Sequence, residues 1–342
     1  LGEDLVAFRD SAGRIGVVDE ACPHRLASLW LGRNEEGGLR CVYHGWKFDV
    51  TGQCTEQMNE PEPFSHKVRV NAYPTVEMGG IVWTYMGPAN EMPEFERPIF
   101  APREETSVSI FKIFIITNWA QGLEGGIDSA HSSSLHSTDM PAARVAGNTA
   151  TGTAWPRPTT DKSPRLQVQE TDYGFRYAAI RRPIQNAQTH DYVRVSTFVA
   201  PFHIMIPPNN VYNVYQMTVP VDDTHNIIYI VAWSDTGPGV ELEAWRRFTG
   251  TQIGIDLDKT YRKVNNFSNN YGQDRQLMRL GNFTGIPGIP NQDIVMWETM
   301  GPIADRSADR LGGPPVAPAA SDCARPAQPG LASRRHGSGR IR

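Results

Sequence analysis

The sequence contains no apolar run approaching the roughly 18 residues that a membrane-spanning helix requires, so it offers no candidate span. Its start, Leu1-Gly2-Glu3-Asp4, has neither a basic region nor an apolar stretch, so no secretory signal is visible. A soluble, cytoplasmic protein is expected and, as the chain lacks an initiator Met, a fragment is expected too. An excess of one charge is also lacking: 33 Lys and Arg stand against 37 Asp and Glu, a net of −4, too little to argue for nucleic acid or an anionic membrane as partner. Four cysteines in 342 residues are too few for a disulfide framework, which leaves their spacing to be read for metals. No repeat at solenoid periods is present.

Length and composition then set a positive frame. At roughly 150 residues per domain the chain has room for two, and 39% hydrophobic with 20% charged residues, 31 Gly and 26 Pro fits a loop-rich globular enzyme. Residues 1–87 read as a small antiparallel β module, with a hairpin signal at Ser11-Ala12-Gly13, strands from Val68 to Glu77 and Ile81 to Met86 flanking Gly79-Gly80, and a turn at Thr51-Gly52. A Pro- and Glu-rich connector occupies 88–106. Longer elements follow: a strand over Val108 to Thr117, a helix from Asn118, and strands over Tyr173 to Ile180, Tyr192 to Phe198, Val211 to Val219 and Ile227 to Trp233. Glu241 to Lys263 reads as helical, as does the stretch from Asn291. The expected class is α+β, an N-terminal all-β domain followed over 88–311 by a helix-covered antiparallel-sheet domain. Residues 312–342 hold five Arg against one Asp, no aromatic residue and little apolar content, so this basic tail is expected to be disordered.

Two constellations carry chemistry. Cys22-Pro23-His24 and, after sixteen residues, Cys41-Val42-Tyr43-His44 each offer one thiolate and one imidazole. A zinc finger takes its two cysteines from one element and its two histidines from another. One Cys and one His from each loop suits instead a two-iron cluster with two thiolates on one iron and two imidazoles on the other. Cys54 reads as a structural thiol. In the second constellation, Glu124, Asp128 and His131 fall at i, i+4 and i+7, on one face if the segment is helical, with His136 five residues further on. Two histidines and a distant carboxylate make the facial triad of a non-haem Fe(II) oxygenase; a solvated amphipathic helix with a Ser-rich turn is the plainer alternative.

Cys22-Pro23-His24-Arg25 and Tyr43-His44-Gly45-Trp46-Lys47-Phe48 resemble the two cluster loops of Rieske oxygenases. The extra cysteine that each loop carries in respiratory Rieske proteins is missing at 25–27 and 42–43. Gly45 would let the backbone approach the cluster, with Trp46 and Tyr43 walling it from water. The run Glu124-x3-Asp128-x2-His131-x4-His136 resembles the catalytic helix of Rieske aromatic-ring-hydroxylating oxygenase α subunits. The resemblance implies that Cys22, His24, Cys41 and His44 hold a Rieske 2Fe-2S cluster and that His131 and His136 bind a mononuclear Fe(II). It also implies that Asp128 bridges an iron histidine to a cluster histidine of the neighbouring subunit. The third iron ligand is carried onto Asp293, in Asn291-Gln292-Asp293-Ile294-Val295-Met296-Trp297-Glu298. Segments such as Met205-Ile206-Pro207-Pro208 and Asn282-Phe283-Thr284-Gly285-Ile286-Pro287-Gly288 resemble the phthalate dioxygenase branch, over about residues 1–313.

The implied activity is addition of both atoms of dioxygen to an aromatic ring, an aromatic carboxylate such as a phthalate or substituted benzoate, giving a cis-dihydrodiol. Electrons would come from an NAD(P)H-dependent flavin/iron–sulfur reductase, and the subunits would form a homotrimer. A demethylating Rieske monooxygenase uses the same ligands; a Rieske electron-transfer protein would need only the first domain. Glu124 is a candidate for proton supply or for holding the helix face. Asn118 reads as the helix cap, since Asn-x-x-Gln has capping-box spacing. A carboxylate substrate calls for a cation, with Arg194 and Arg157 as candidates and Arg181-Arg182 as second choice. Beyond Gly312 the resemblance stops; a solvated natural tail is the plainer reading, and the Ala, Arg, Pro and Gly content makes a shifted reading frame in GC-rich DNA the preferred expectation.

Overall fold

The computed structural model describes residues 2–144 and 155–311; the basic tail inferred from the sequence lies outside the described residues. The first module contains β1 (Leu5–Arg9), β2 (Ile15–Asp19), β3 (Arg33–Glu35), β4 (Gly38–Arg40), β5 (Trp46–Phe48), β6 (Cys54–Gln57), β7 (Ala72–Tyr73), β8 (Thr75–Met78) and β9 (Ile81–Thr84). They form a sheet β1-β2-β7, a sheet β3-β4-β5-β6 and the hairpin β8-β9. The module has its own core of Val6, Val18, Leu29, Leu39, Phe48 and Val70, which also encloses Cys22, Cys41 and Cys54.

A seven-stranded antiparallel sheet follows, built from β10 (Val108–Ile115), β11 (Arg165–Thr171), β12 (Gly174–Arg181), β13 (Tyr192–Val199), β14 (His203–Ile206), β15 (Asn213–Pro220) and β16 (Asn226–Trp233) in the order β10-β16-β15-β14-β13-β12-β11. Side chains alternate between its faces, as the period of two requires. Phe111, Ile113, Val214, Ile228 and Ile230 pack with Trp245, Ile294 and Trp297 on one side. Met217, Val231 and Trp233 meet Phe100, Ile81 and Trp83 on the other, so β9 of the first module covers the outer face of the second module's sheet. Among the described residues the helices are α1 (Trp119–Ile127), α2 (Leu242–Thr249), α3 (Arg275–Arg279) and α4 (Ile289–Thr299).

Three departures from the sequence reading have local causes. The helix expected over Glu241 to Lys263 stops at Thr249, because Gly250 takes a left-handed φ of 65° and its N–H closes onto the Arg246 and Arg247 carbonyls. The strand expected from Val68 to Glu77 is split at Pro74, which has no N–H for a ladder. Asn118 does cap α1, its side chain accepting from the Ala120 N–H at 3.0 Å, but Gln121 does not close the box. It turns inward to the Trp297 and Gly301 carbonyls, both at 3.1 Å, and ties α1 to α4.

Glycines explain how close α1 sits. A Cβ on Gly125 would land on the Trp297 indole, and one on Gly126 would lie 2.7 Å from Ile204 Cδ1, whereas one on Gly122 would meet nothing nearer than 3.4 Å. Alanine raises helix propensity by about 1 kcal/mol at any of the three. Gly122→Ala is therefore expected to be neutral or mildly stabilising, and Gly125→Ala to cost about 1–3 kcal/mol through overpacking. Denaturant unfolding of the pair checks this; equal effects would refute the packing argument.

Candidate metal centres

Both loops of the first module are built alike. The Leu26 N–H bonds to the Cys22 carbonyl at 2.8 Å and the Gly45 N–H to the Cys41 carbonyl at 2.9 Å, closing one turn around each histidine. Leu26 and Gly45 sit at φ of 58° and 76°, and a Cβ on Gly45 would lie 2.6 Å from Met58 Cβ, so glycine is needed there for both reasons. The turns bring the His24 and His44 rings within 4.3 Å, edge to face. Trp46 stacks on His24 at 4.6 Å and is itself buried, so it backs the site as expected. Tyr43 does not: it leans on His44 but is 64% exposed, so within one chain it walls nothing from water. Burial, and then the nearby Cys41 sulfur, push the Cys22 thiol up to about 11 against the pull of the His24 N–H. His24 Nδ1 is buried with no hydrogen-bond partner. A thiol that needs a cation to ionise, beside an orphaned imidazole nitrogen, fits a cluster bound at this place.

In the second module α1 ends earlier than the face arithmetic assumed. Asp128 is its C-cap, with extended backbone (φ −74°, ψ 127°), and its carboxylate then starts the next turn. Oδ1 accepts from the Ala130 N–H at 2.7 Å and Oδ2 from the His131 N–H at 3.0 Å, the local side-chain-to-backbone bonding that competes with helix. The break swings His131 towards the sheet while Glu124 stays behind. Glu124 does not line the central cavity; it pairs with Arg306 on the C-terminal side of the fold, so the shared helical face of Glu124, Asp128 and His131 does not exist.

His131, His136 and Asp293 converge, their donor atoms all within 4.8 Å of one another. Asp293 Oδ1 lies 3.3 Å from His131 Nε2 and 3.1 Å from His136 Nε2. The other nitrogen of each ring is held from behind, His131 Nδ1 by Asp128 Oδ2 at 3.0 Å and His136 Nδ1 by Gln292 Oε1 at 2.7 Å. Burial opposes charge on His131, but its bonds to Asp128 and Asp293 outweigh that and push it up to about 10. Burial works likewise against Asp293, yet the two imidazoles draw it down to about 2. Three ligand atoms with second nitrogens already engaged fit a two-histidine, one-carboxylate metal site with open positions. The triad opens onto a cavity walled mainly by apolar side chains, among them Ile206, Val214, Ile230, Trp245 and Phe248.

Arg194 also lines that cavity. Its Nη2 donates to the Pro207 carbonyl, and its Nε is buried without a partner. Arg157 lies behind the His131 turn, donating to Ser132 Oγ at 3.1 Å and to the Ser132 carbonyl at 2.9 Å. Arg181 donates to the Ser129 carbonyl at 2.8 Å and leaves Nε and Nη1 without partners. All three are buried, and none meets a carboxylate among the described residues. Burial, then the Arg194 and Arg181 charges, lower Arg157 to about 10.

A β module with paired Cys/His loops, joined to a helix-covered sheet that gathers two histidines and an aspartate, is the architecture of the two-centre iron oxygenases. The Rieske [2Fe-2S] domain family matches residues 1–74 and the LigXa C-terminal domain like family residues 84–320. The chain is 59% identical over 319 residues to the phthalate 4,5-dioxygenase oxygenase subunit of Pseudomonas putida, covering 93% of this chain and 73% of that one. It is 36% identical to the 3-chlorobenzoate-3,4-dioxygenase oxygenase subunit of Comamonas testosteroni, covering 91% and 74%. The structure of dicamba monooxygenase bound to dicamba superimposes with a TM-score of 0.61 at 17% identity, covering 95% of this chain and 89% of that one, a likeness of fold. The chain belongs to the Rieske non-haem iron aromatic-ring-hydroxylating oxygenases, in the phthalate dioxygenase branch. Members of this family carry a Rieske cluster and a mononuclear non-haem iron. No helix of the described residues is long and apolar enough to cross a membrane.

Proposed function

We propose that this chain is the oxygenase component of a dioxygenase acting on an aromatic carboxylate, a phthalate or a substituted benzoate, with a cis-dihydrodiol as product. The observation that carries the substrate class is the buried set Arg157, Arg181 and Arg194 without carboxylate partners, beside an apolar cavity into which His131, His136 and Asp293 open. Buried charges without counterions are costly, and an anionic ligand supplies what the fold omits. An apolar wall takes the ring, and a guanidinium fork takes a carboxylate in bidentate fashion.

Cys22, His24, Cys41 and His44 hold the cluster in this reading, and His131, His136 and Asp293 hold the iron. When bound, the two centres supply electrons one at a time and activate dioxygen. Asp128 fixes the His131 ring through Nδ1 and keeps its side chain 42% exposed, which suits a link to a cluster histidine of a second subunit. His24 and His44 are likewise only half-buried. A homotrimer follows from that link, with a reductase drawing on NAD(P)H as electron donor and the cytoplasm as location. Arg194 anchors a substrate carboxylate from the cavity wall; Arg157, behind it, adds charge and holds the His131 turn. Glu124, paired with Arg306, holds the outer face of α1.

Oxygen uptake with a compatible reductase, screened over phthalates and benzoates, tests the reading. A cis-dihydrodiol and three irons per chain are expected. Formaldehyde from a methoxylated substrate, with no dihydrodiol from any carboxylate, would replace dioxygenation by demethylation.

A further inference from the structure

The two histidines of the triad are held from behind by unlike groups. His131 leans on a carboxylate, whereas His136 leans on the neutral amide of Gln292, which is fully buried on α4 next to Asp293. That amide has its orientation imposed. Its Nε2 donates to Asp139 Oδ2 at 2.7 Å and to the Ile286 carbonyl at 2.8 Å, and both are groups that can only accept. Oε1 must then be the end that faces His136, so Nδ1 of His136 carries the proton and donates, and Nε2 presents its lone pair towards Asp293 and His131. Reversing the amide would set an N–H against Nδ1, force the proton onto Nε2 and remove the ligand atom.

We propose that Asp139 and Gln292 form a relay that fixes the tautomer of His136 and locks the two ligand-bearing segments together. Gln292 neighbours Asp293 in the chain; Asp139 shares a turn with His136, whose carbonyl accepts from the Met140 N–H at 2.8 Å. The two hydrogen bonds of the relay therefore tie one ligand's helix to another ligand's turn, and neither segment can shift without breaking them. Both are positioning residues, and the inference rests on the reading of His131, His136 and Asp293 as a metal site.

The test uses the cluster-containing protein stripped of its catalytic metal and titrated anaerobically with Co(II), followed by the visible d–d bands. Gln292→Met should weaken Co(II) binding by about 10- to 100-fold, the usual cost of losing a group behind a ligating histidine. Asp139→Ala should weaken it too, and Asp139→Asn should restore it, because an Asn Oδ1 still accepts from Gln292 Nε2. Far-ultraviolet circular dichroism and the melting transition report folding of the second module in each variant; if Gln292→Met does not fold, the Asp139 pair decides. Equal affinity for Asp139→Ala and Asp139→Asn would overturn the relay, as would Gln292→Met binding within about threefold of the parent. His136→Ala separates the two readings: undiminished Co(II) binding there would sink the metal site itself.

Discussion

Replacing Asp128 with Asn is expected to leave cluster and iron in place at saturating metal and to lower coupled turnover by at least about 100-fold, the upper end of what a group behind a ligating imidazole contributes. Asn can still accept from the Ala130 N–H, so the turn after α1 survives. Its second terminal atom becomes an NH2 facing the His131 Nδ1 proton, where Asp128 Oδ2 now accepts at 3.0 Å. The proposed link from His131 to the neighbouring subunit is thus removed, with the donors of both candidate sites kept. Metal analysis establishes loading, and rapid mixing of reduced protein with oxygen and substrate reads reoxidation of the cluster. Slow reoxidation with full iron content is the expected result; unchanged coupled turnover would refute the bridge.

Arg194→Met should raise KM for a phthalate or benzoate by about 10- to 150-fold, the equivalent of the 1.5–3 kcal/mol that a hydrogen bond to a charged group contributes. A second effect separates substrate binding from a merely structural role. Arg157 is held down to about 10 by burial and then by the charges of Arg194 and Arg181, so deleting one of the three relieves repulsion in the ligand-free protein. The unliganded variant should therefore melt no lower than the parent, while the stabilisation given by added phthalate should shrink. A lower melting temperature with an unchanged KM would mean that Arg194 serves the fold and not the ligand.

The legible parts of this protein were those whose partners lie close in sequence. Cys22 and His24, Cys41 and His44, and His131 and His136 stand at spacings that one turn can bring together, and each turn exists. The inner strands showed through because apolar residues alternate in them. β11 is exposed at five of its seven residues and β14 is only four residues long, so neither stands out in the sequence. Glu124 does not share a face with His131, because the chain leaves the helix at Asp128. Gln292 and Asp139 gave no signal, since their bond spans 153 residues and only the closed fold makes it. Arg181 carries no local signal that separates it from its exposed neighbour Arg182; only the fold buries it.

The pairing of β10 with β16 along its full length makes the catalytic sheet a late structure in the life of the chain. Its first strand waits for its last, and contacts so distant are reached only after a long loop has been closed. His131 and His136 lie just after β10, whereas Asp293 comes sixty residues beyond β16, so the three donors meet only once the sheet is shut and α4 is docked. The first module, with a core of its own and both Cys/His loops within residues 22–46, is under no such constraint. Synthesis from the N-terminus thus completes both Cys/His loops long before Asp293 exists to join His131 and His136.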